Sequence, residues 1–194
     1  MQRKFFIISE FLLYALFIVM DILRINSSYI KYLGIILCFI YALSNKNKPR
    51  IISTVFTLIA DFFLLILDKY YEVGLISFII VQISYFYFLG NIDKGYFNMF
   101  LYFRGFFIII GVLILYILKQ VSFINILVII YFVNLVFNFI HASVLKQKTL
   151  ALGLGLFICC DICVGLHNIN SAYTLATFLM WVFYLPSQVL IVIA

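Results

Sequence analysis

Charge and proline are what this chain has least of. Charged residues make up 10% of it and proline occupies 2 of 194 positions, whereas about a quarter of an average soluble sequence is charged. With a mean hydropathy of +1.23, this composition excludes a disordered chain, a collagen-like repeat and a coiled coil. Cysteine is sparse as well: Cys38, Cys159, Cys160 and Cys163 all lie inside apolar stretches, which argues against a disulfide framework. Cys160 and Cys163 form a C-x-x-C, but no second pair accompanies them and His167 is the one nearby imidazole, so the spacing does not build a zinc site. These cysteines read as small, polarizable packing residues. Soluble-enzyme signatures are missing too, since there is no G-x-S-x-G, no P-loop and no H-E-x-x-H.

What the chain has in excess is apolar surface. Hydrophobic residues account for 67%, against roughly 45–50% in soluble domains. A membrane-spanning helix needs about 20 predominantly apolar residues, and charges and turn residues divide the sequence into eight such runs, near 5–23, 29–44, 51–67, 71–90, 96–118, 121–144, 149–166 and 171–193. The runs lack the alternation of a barrel strand, and backbone groups in lipid must be satisfied within the segment, so all eight are expected as helices. The expected fold class is therefore all-α: a polytopic membrane bundle of eight transmembrane helices forming a single domain over 1–194. Arg3-Lys4 before the run from Phe5 to Met20 has the look of a signal peptide, but no small-residue cleavage site follows, and we read an uncleaved first span.

The net charge is +6. Without a soluble basic domain this excess sets orientation and does not point to nucleic acid. Loops on the side of the termini carry eight basic residues (Arg3, Lys4, Lys46, Lys48, Arg50, Lys94, Lys146 and Lys148), while the opposite side carries four (Arg24, Lys31, Lys69 and Lys119). The positive-inside rule then places both termini in the cytoplasm, in a multi-pass protein of the cell membrane.

An internal repeat is also legible. Asp61 precedes a half-span, a short polar loop and a span with Gln82 and Tyr85; Asp161 precedes the same arrangement ending in Tyr184 and Gln188, with Asp-to-Tyr separations of 24 and 23. Two parallel four-helix halves, related by an axis along the membrane normal, would produce this pattern.

An ionised side chain in a span costs at least ~2.5–3.5 kcal/mol at the bilayer centre, and four residues fall there: Glu10, Asp61, Arg104 and Asp161. At 1.5 Å per residue, Asp61 and Asp161 lie roughly 16 and 20 Å beyond Arg50 and Lys148, and Arg104 reaches about the same level from Lys94, within range to neutralise one aspartate. A structural ion pair is the competing use of these groups. Glu10, about one turn inside the boundary, is placed to snorkel or to pair with Lys4. Polar stripes run along three helices: Thr54, Thr57 and Asp61; Tyr131, Asn134, Asn138 and His141; Thr177, Trp181, Tyr184 and Gln188. They serve either a shared hydrated cavity or interhelical hydrogen bonding. Two carboxyls in a dry site do not both ionise readily, so one acts as proton donor and the other as base. That chemistry fits acid-initiated hydrolysis, an aspartyl-protease-like reaction or proton-coupled transport; Asp61 follows Ala60, and no Gly-x-Gly-Asp supports the protease.

Short ordered motifs add to this. Ile30-Lys31-Tyr32-Leu33 opens the second span, followed by Ala60-Asp61-Phe62-Phe63-Leu64, Gly74-Leu75-Ile76-Ser77-Phe78, Gln82-Ile83-Ser84-Tyr85, then Phe157, Cys160-Asp161 and Tyr184 to Gln188. In their order and in span number the sequence resembles the YhhN family of eight-span membrane proteins, which includes the lysoplasmalogenases. The family pattern has Pro where Tyr32 stands, His in place of Gln82 and Ala in place of Ser187. The resemblance implies hydrolysis of the vinyl ether bond of a lysophospholipid, with no cofactor and no metal, in a membrane-lipid setting. It makes Asp61 and Asp161 the catalytic pair, gives Lys31 a phosphate to hold, and has Gln82, Tyr85, Tyr184 and Gln188 position lipid or water, with Arg104 beside them. The alternative is a transporter or lipid-binding protein in which the aspartates form a proton relay.

Overall fold

A computed structural model describes residues 2–169 and 174–194. Among the described residues all regular structure is helical, in eight helices long and apolar enough to cross a membrane. They are α1 (Arg3–Ile22), α2 (Ser28–Asn45), α3 (Lys48–Asp61), whose span continues without a break to Leu67, α4 (Tyr71–Ile92), α5 (Lys94–Ile117), α6 (Phe123–Val144), α7 (Lys148–Ile169) and α8 (Thr174–Ile193). The expected spans coincide with these to within a few residues, and the expected start at 171 lies outside the described residues. Three connections are tighter than the sequence implies: Lys46 and Asn47 alone separate α2 from α3, Asp93 alone separates α4 from α5, and His167 to Ile169 continue α7.

Local chemistry sets the helix ends. Side chains of Asn47, Asp93 and Ser122 accept the backbone N–H of Arg50, Gly95 and Asn125 at the starts of α3, α5 and α6, capping donors that have no intrahelical partner. At the opposite ends Arg24, Lys119 and Lys146 adopt left-handed backbone and close Schellman turns, with the following N–H returning to Met20, Leu115 and Ala142. A basic residue there completes the turn and keeps a charge at the membrane boundary.

The third span holds a feature absent from the sequence reading. After Asp61 the helix widens into a π-helical turn, Phe62–Leu67, before reversing at Asp68 and Tyr70, both left-handed. Packing accounts for the distortion: Leu64 fills the space beside Gly74 on α4, where a Cβ would stand 2.5 Å from the Leu64 Cγ. Such turns are uncommon and cluster at functional positions.

Substantial helix contacts join α1 to α2, α2 to α3 and α3 to α4, and likewise α5 to α6, α6 to α7 and α7 to α8; between the halves α2 meets α8 as α6 meets α4, and α1 meets α8 as α5 meets α4. Every pair maps onto another when α1–α4 are exchanged with α5–α8. The loops repeat as well. Lys46 and Lys146 are both left-handed, and Lys48 and Lys148 begin α3 and α7, the same 100-residue offset that relates Asp61 to Asp161.

The core runs through α4, α6, α7 and α8, around Phe78, Tyr131, Leu135, Phe157, Tyr184 and Leu185. Helices α7 and α8 approach closely at Gly153, where a Cβ would lie 3.1 Å from the Ser187 carbonyl oxygen and 3.1 Å from the Ile191 nitrogen of α8. In α8, Pro186 has no N–H to offer the Val182 carbonyl one turn earlier. Tyr14 of α1 donates its hydroxyl to that carbonyl at 3.2 Å.

Candidate functional site

Asp61 ends α3 where the π-turn begins, and its side chain is buried. Its Oδ2 accepts a hydrogen bond of 2.6 Å from the hydroxyl of Tyr184 on α8. Asp161, half-buried on α7, makes the same contact with a different helix: its Oδ2 accepts from the Tyr131 hydroxyl of α6, also at 2.6 Å. Among the described residues only Oδ2 of each aspartate is so engaged. Hydroxyl-to-carboxyl bonds of this length are at the strong end of the range, and in a lipid interior they supply the partner that water supplies elsewhere.

The two Tyr–Asp pairs flank one aromatic cluster. Phe157, one turn before Asp161, packs 5.4 Å from the Tyr184 ring and 6.4 Å from the Tyr131 ring. Phe78 of α4 closes the cluster, 5.6 Å from Phe157 and 5.7 Å from Tyr131. On the other side the Trp181 ring stands perpendicular to Tyr184 at 5.2 Å. The site is thus built from α3, α4, α6, α7 and α8, and presents two oriented carboxyls on an apolar, aromatic floor.

The internal repeat is broken here. Asp61 takes its tyrosine from the other half of the chain, and Asp161 takes its from its own half. The 100-residue offset from Tyr131 and Tyr184 falls on Lys31 and Ser84, and the tyrosines one residue further on are engaged elsewhere: Tyr32 donates to the Leu58 carbonyl at 3.4 Å, and Tyr85 lies next to Ser53. Tyr85 also lines a cavity of about 10 Å³, room for one water, together with Pro49, Arg50 and Phe88 at the end of the bundle that bears the termini.

Of the residues singled out in the sequence, Asp61 and Tyr184 meet directly and Asp161 joins them through Phe157. Lys31 is close by but engaged. Its ammonium pairs with Asp21 at 2.8 Å, Ser27 donates to the same carboxyl, and the Trp181 ring lies 5.1 Å away. Gln188, one turn beyond Tyr184, is buried with its Nε2 unpartnered. Arg104 neutralises neither aspartate. Its Nη1 and Nη2 donate to the Oδ1 atoms of Asn134 and Asn138, each at 2.8 Å, and its guanidinium lies 4.0 Å from the Phe86 ring centre. Gln82 belongs to that second group: its Oε1 accepts from Asn138 Nδ2 at 2.8 Å. Since Asn138 is seven residues from Tyr131 on α6, this layer lies roughly 10 Å along the helix from the Asp161 pair. Glu10 does not snorkel to Lys4; it is buried in α1 with Oε1 accepting from the Cys38 thiol at 3.5 Å.

The polar stripes serve hydrogen bonding, between helices and within them. Those of α3 and α8 meet at Asp61 and Tyr184, whereas Thr54 and Thr57 return their hydroxyls to carbonyls of their own helix. The α6 stripe bridges helices, through Tyr131 to α7, through Asn134 and Asn138 to α5, and through Asn138 to α4. The sequence pattern places Tyr131 only in that stripe. Its pairing was legible in the hairpin register: Tyr131 stands 14 residues before Leu145 and Asp161 stands 13 after Lys148, so the two side chains come level on antiparallel neighbours.

The YhhN family model matches residues 26–194, which includes both aspartates and both tyrosines and leaves α1 ahead of the matched segment. Comparison with curated proteins found no match, nor did comparison with solved structures.

Proposed function

The chain belongs to the YhhN family, and from that premise we propose that it is an integral-membrane hydrolase that cleaves the vinyl ether bond of lysoplasmalogens, releasing a fatty aldehyde and a glycerophospho-alcohol. The observation that carries the reading is the pair of membrane-embedded aspartates, each held at 2.6 Å by the hydroxyl of a tyrosine whose ring packs against Phe157.

The chemistry follows from what a vinyl ether requires. Its slow step is protonation of the carbon β to the ether oxygen, which needs a positioned acid. One aspartate, protonated, gives its proton to that carbon, leaving an oxocarbenium ion on the oxygen-bearing carbon. The other, ionised, stabilises the cation and takes a proton from the water that attacks it, the division of labour two carboxyls perform in glycosidases. The hemiacetal then collapses: its hydroxyl proton is lost, the ether oxygen is protonated and leaves, and the aldehyde is released. Tyr184 and Tyr131 fix one oxygen of each carboxyl and leave the other for substrate or water. Phe78, Phe157 and Trp181 offer an apolar surface to the alkenyl chain, and Lys31, next to Trp181, reaches the phosphate once its bond to Asp21 is shared.

A second reading rests on the exchange symmetry of the helix contacts. Two parallel halves are an architecture of secondary transporters, and in that reading the aspartates relay protons while the halves rock. Purified protein in detergent separates the two. Aldehyde released from lysoplasmalogen in proportion to enzyme supports hydrolysis; no aldehyde in detergent, with solute uptake in sealed vesicles, supports transport.

A further inference from the structure

Away from the aspartates, the junction of α4, α5 and α6 holds a guanidinium that no carboxylate neutralises: among the described residues the ion pair is Lys31 with Asp21. Arg104 is 2% exposed, and both of its hydrogen-bond partners, Asn134 and Asn138, are neutral amides. A guanidinium has five N–H donors in a rigid fork, and Nε here is buried without a partner among the described residues. The shortage extends to its neighbours. Asn138 gives its own N–H to both the Oε1 and the backbone oxygen of Gln82, while Gln82 Nε2 has no acceptor. His141, three residues on from Asn138, is stacked on Phe100 at 4.2 Å with both ring nitrogens unbonded. Gln82 and His141 are each 0% exposed.

The inventory leans to donors. Oδ1 of Asn134, Oδ1 of Asn138 and Oε1 of Gln82 each already accept a bond, and what remains on three helices is the Arg104 Nε–H, the Gln82 amide N–H groups and an imidazole with one N–H when neutral and two when protonated. Burying such groups unpaired is costly, and an anion with several acceptor oxygens answers the charge and the unfilled N–H groups together. We propose that Arg104, Gln82 and His141 form a binding site for a phosphate-class oxyanion, separate from the aspartate pair. His141 lies three residues from the end of α6, about 5 Å inside it, and Arg104 lies one turn of α5 deeper than Phe100, on which His141 stacks. The donors therefore begin near the level of lipid phosphates and lead inward. A lipid headgroup and a free phosphate ion would present the same oxygens.

Two arms of one experiment distinguish these sources in the full chain purified in a neutral glucoside detergent. The first measures phosphorus retained per protein after exhaustive delipidation. The second follows the thermal midpoint as inorganic phosphate replaces chloride at constant ionic strength. About one retained phosphorus identifies a lipid; a saturable rise of the midpoint with phosphate identifies the free ion. In either case Arg104→Gln should abolish the signal and His141→Phe, which keeps the stack on Phe100, should weaken binding at least ~10-fold, as expected for loss of a bond to a charged group. Because the histidine variant preserves packing, it decides the matter even if the arginine variant does not fold. No retained phosphorus and no phosphate-specific stabilisation of the parent chain would overturn the site, as would binding undiminished in His141→Phe.

Discussion

Tyr184 and Asp61 are 123 residues apart in sequence and 2.6 Å apart in space, hydroxyl to carboxyl oxygen. The contact closes α8 onto α3 at the residue where α3 gives way to the π-turn. It is matched in length, though not in topology, by Tyr131 and Asp161. If these hydroxyls orient the acid and the base, Tyr184→Phe and Tyr131→Phe should each lower kcat on lysoplasmalogen by about 10-fold or more, since aromatic packing is kept and only the strong hydrogen bond is lost. Unchanged kcat in both would make the tyrosines structural partners only.

Removing a carboxyl should do more. Asp61→Asn and Asp161→Asn should each reduce kcat by at least ~10²-fold, the lower range for losing general acid–base catalysis, with little change in thermal stability because Asn keeps the shape. In heavy water one deuterium should appear at the α-carbon of rapidly trapped aldehyde, the former β-carbon of the vinyl ether. Near-normal turnover in both variants would sink the mechanism.

The bond from Tyr14 to the Val182 carbonyl exists because Pro186 cannot supply its own. Tyr14→Phe should cost about 1 kcal/mol by leaving that half-buried carbonyl unpaired. Pro186→Ala should relieve much of the loss in the double variant, since its N–H restores the intrahelical bond. A thermal-unfolding double-mutant cycle reads the coupling, and strictly additive effects would contradict it.

Gly153 and Gly165 lie on the same helix in different surroundings. A Cβ at Gly153 meets backbone atoms of α8 at 3.1 Å, whereas one at Gly165 meets nothing within 4 Å among the described residues. Gly153→Ala should therefore destabilise the α7–α8 contact by about 1–3 kcal/mol, while Gly165→Ala should be neutral or slightly stabilising through helix propensity. Equal midpoints for the two would refute the close approach.

The orientation expected from the distribution of basic residues is open to a labelling test. Cysteines introduced at Asn47 and Gln147 should resist an impermeant thiol reagent in intact cells, and one at Asn26 should react. Labelling at Asn47 would invert the topology.

Eight spans, their approximate ends and the depth of Asp61 and Asp161 follow from the sequence alone, because a bilayer imposes one length scale and one hydrogen-bonding rule on every segment. The 100-residue repeat is legible for the same reason: equal helix lengths place equivalent lysines and aspartates at equivalent depths. Partner choice is not. Counting residues puts Arg104 at about the level of the aspartates, yet Arg104 bonds to Asn134 and Asn138, in a layer reaching roughly 10 Å along α6 from the Asp161 pair, since residue count says nothing about which helix faces which or where a long side chain reaches. Tyr85 and Tyr184 occupy corresponding places in the repeat, and only Tyr184 reaches an aspartate. The π-turn after Asp61 depends on Leu64 finding the gap beside Gly74 of the next helix. Local hydropathy fixes where a side chain lies along the membrane normal; its angular neighbours are set by side-chain packing between helices, where lipid supplies no hydrophobic bias, and that information resides in the tertiary structure.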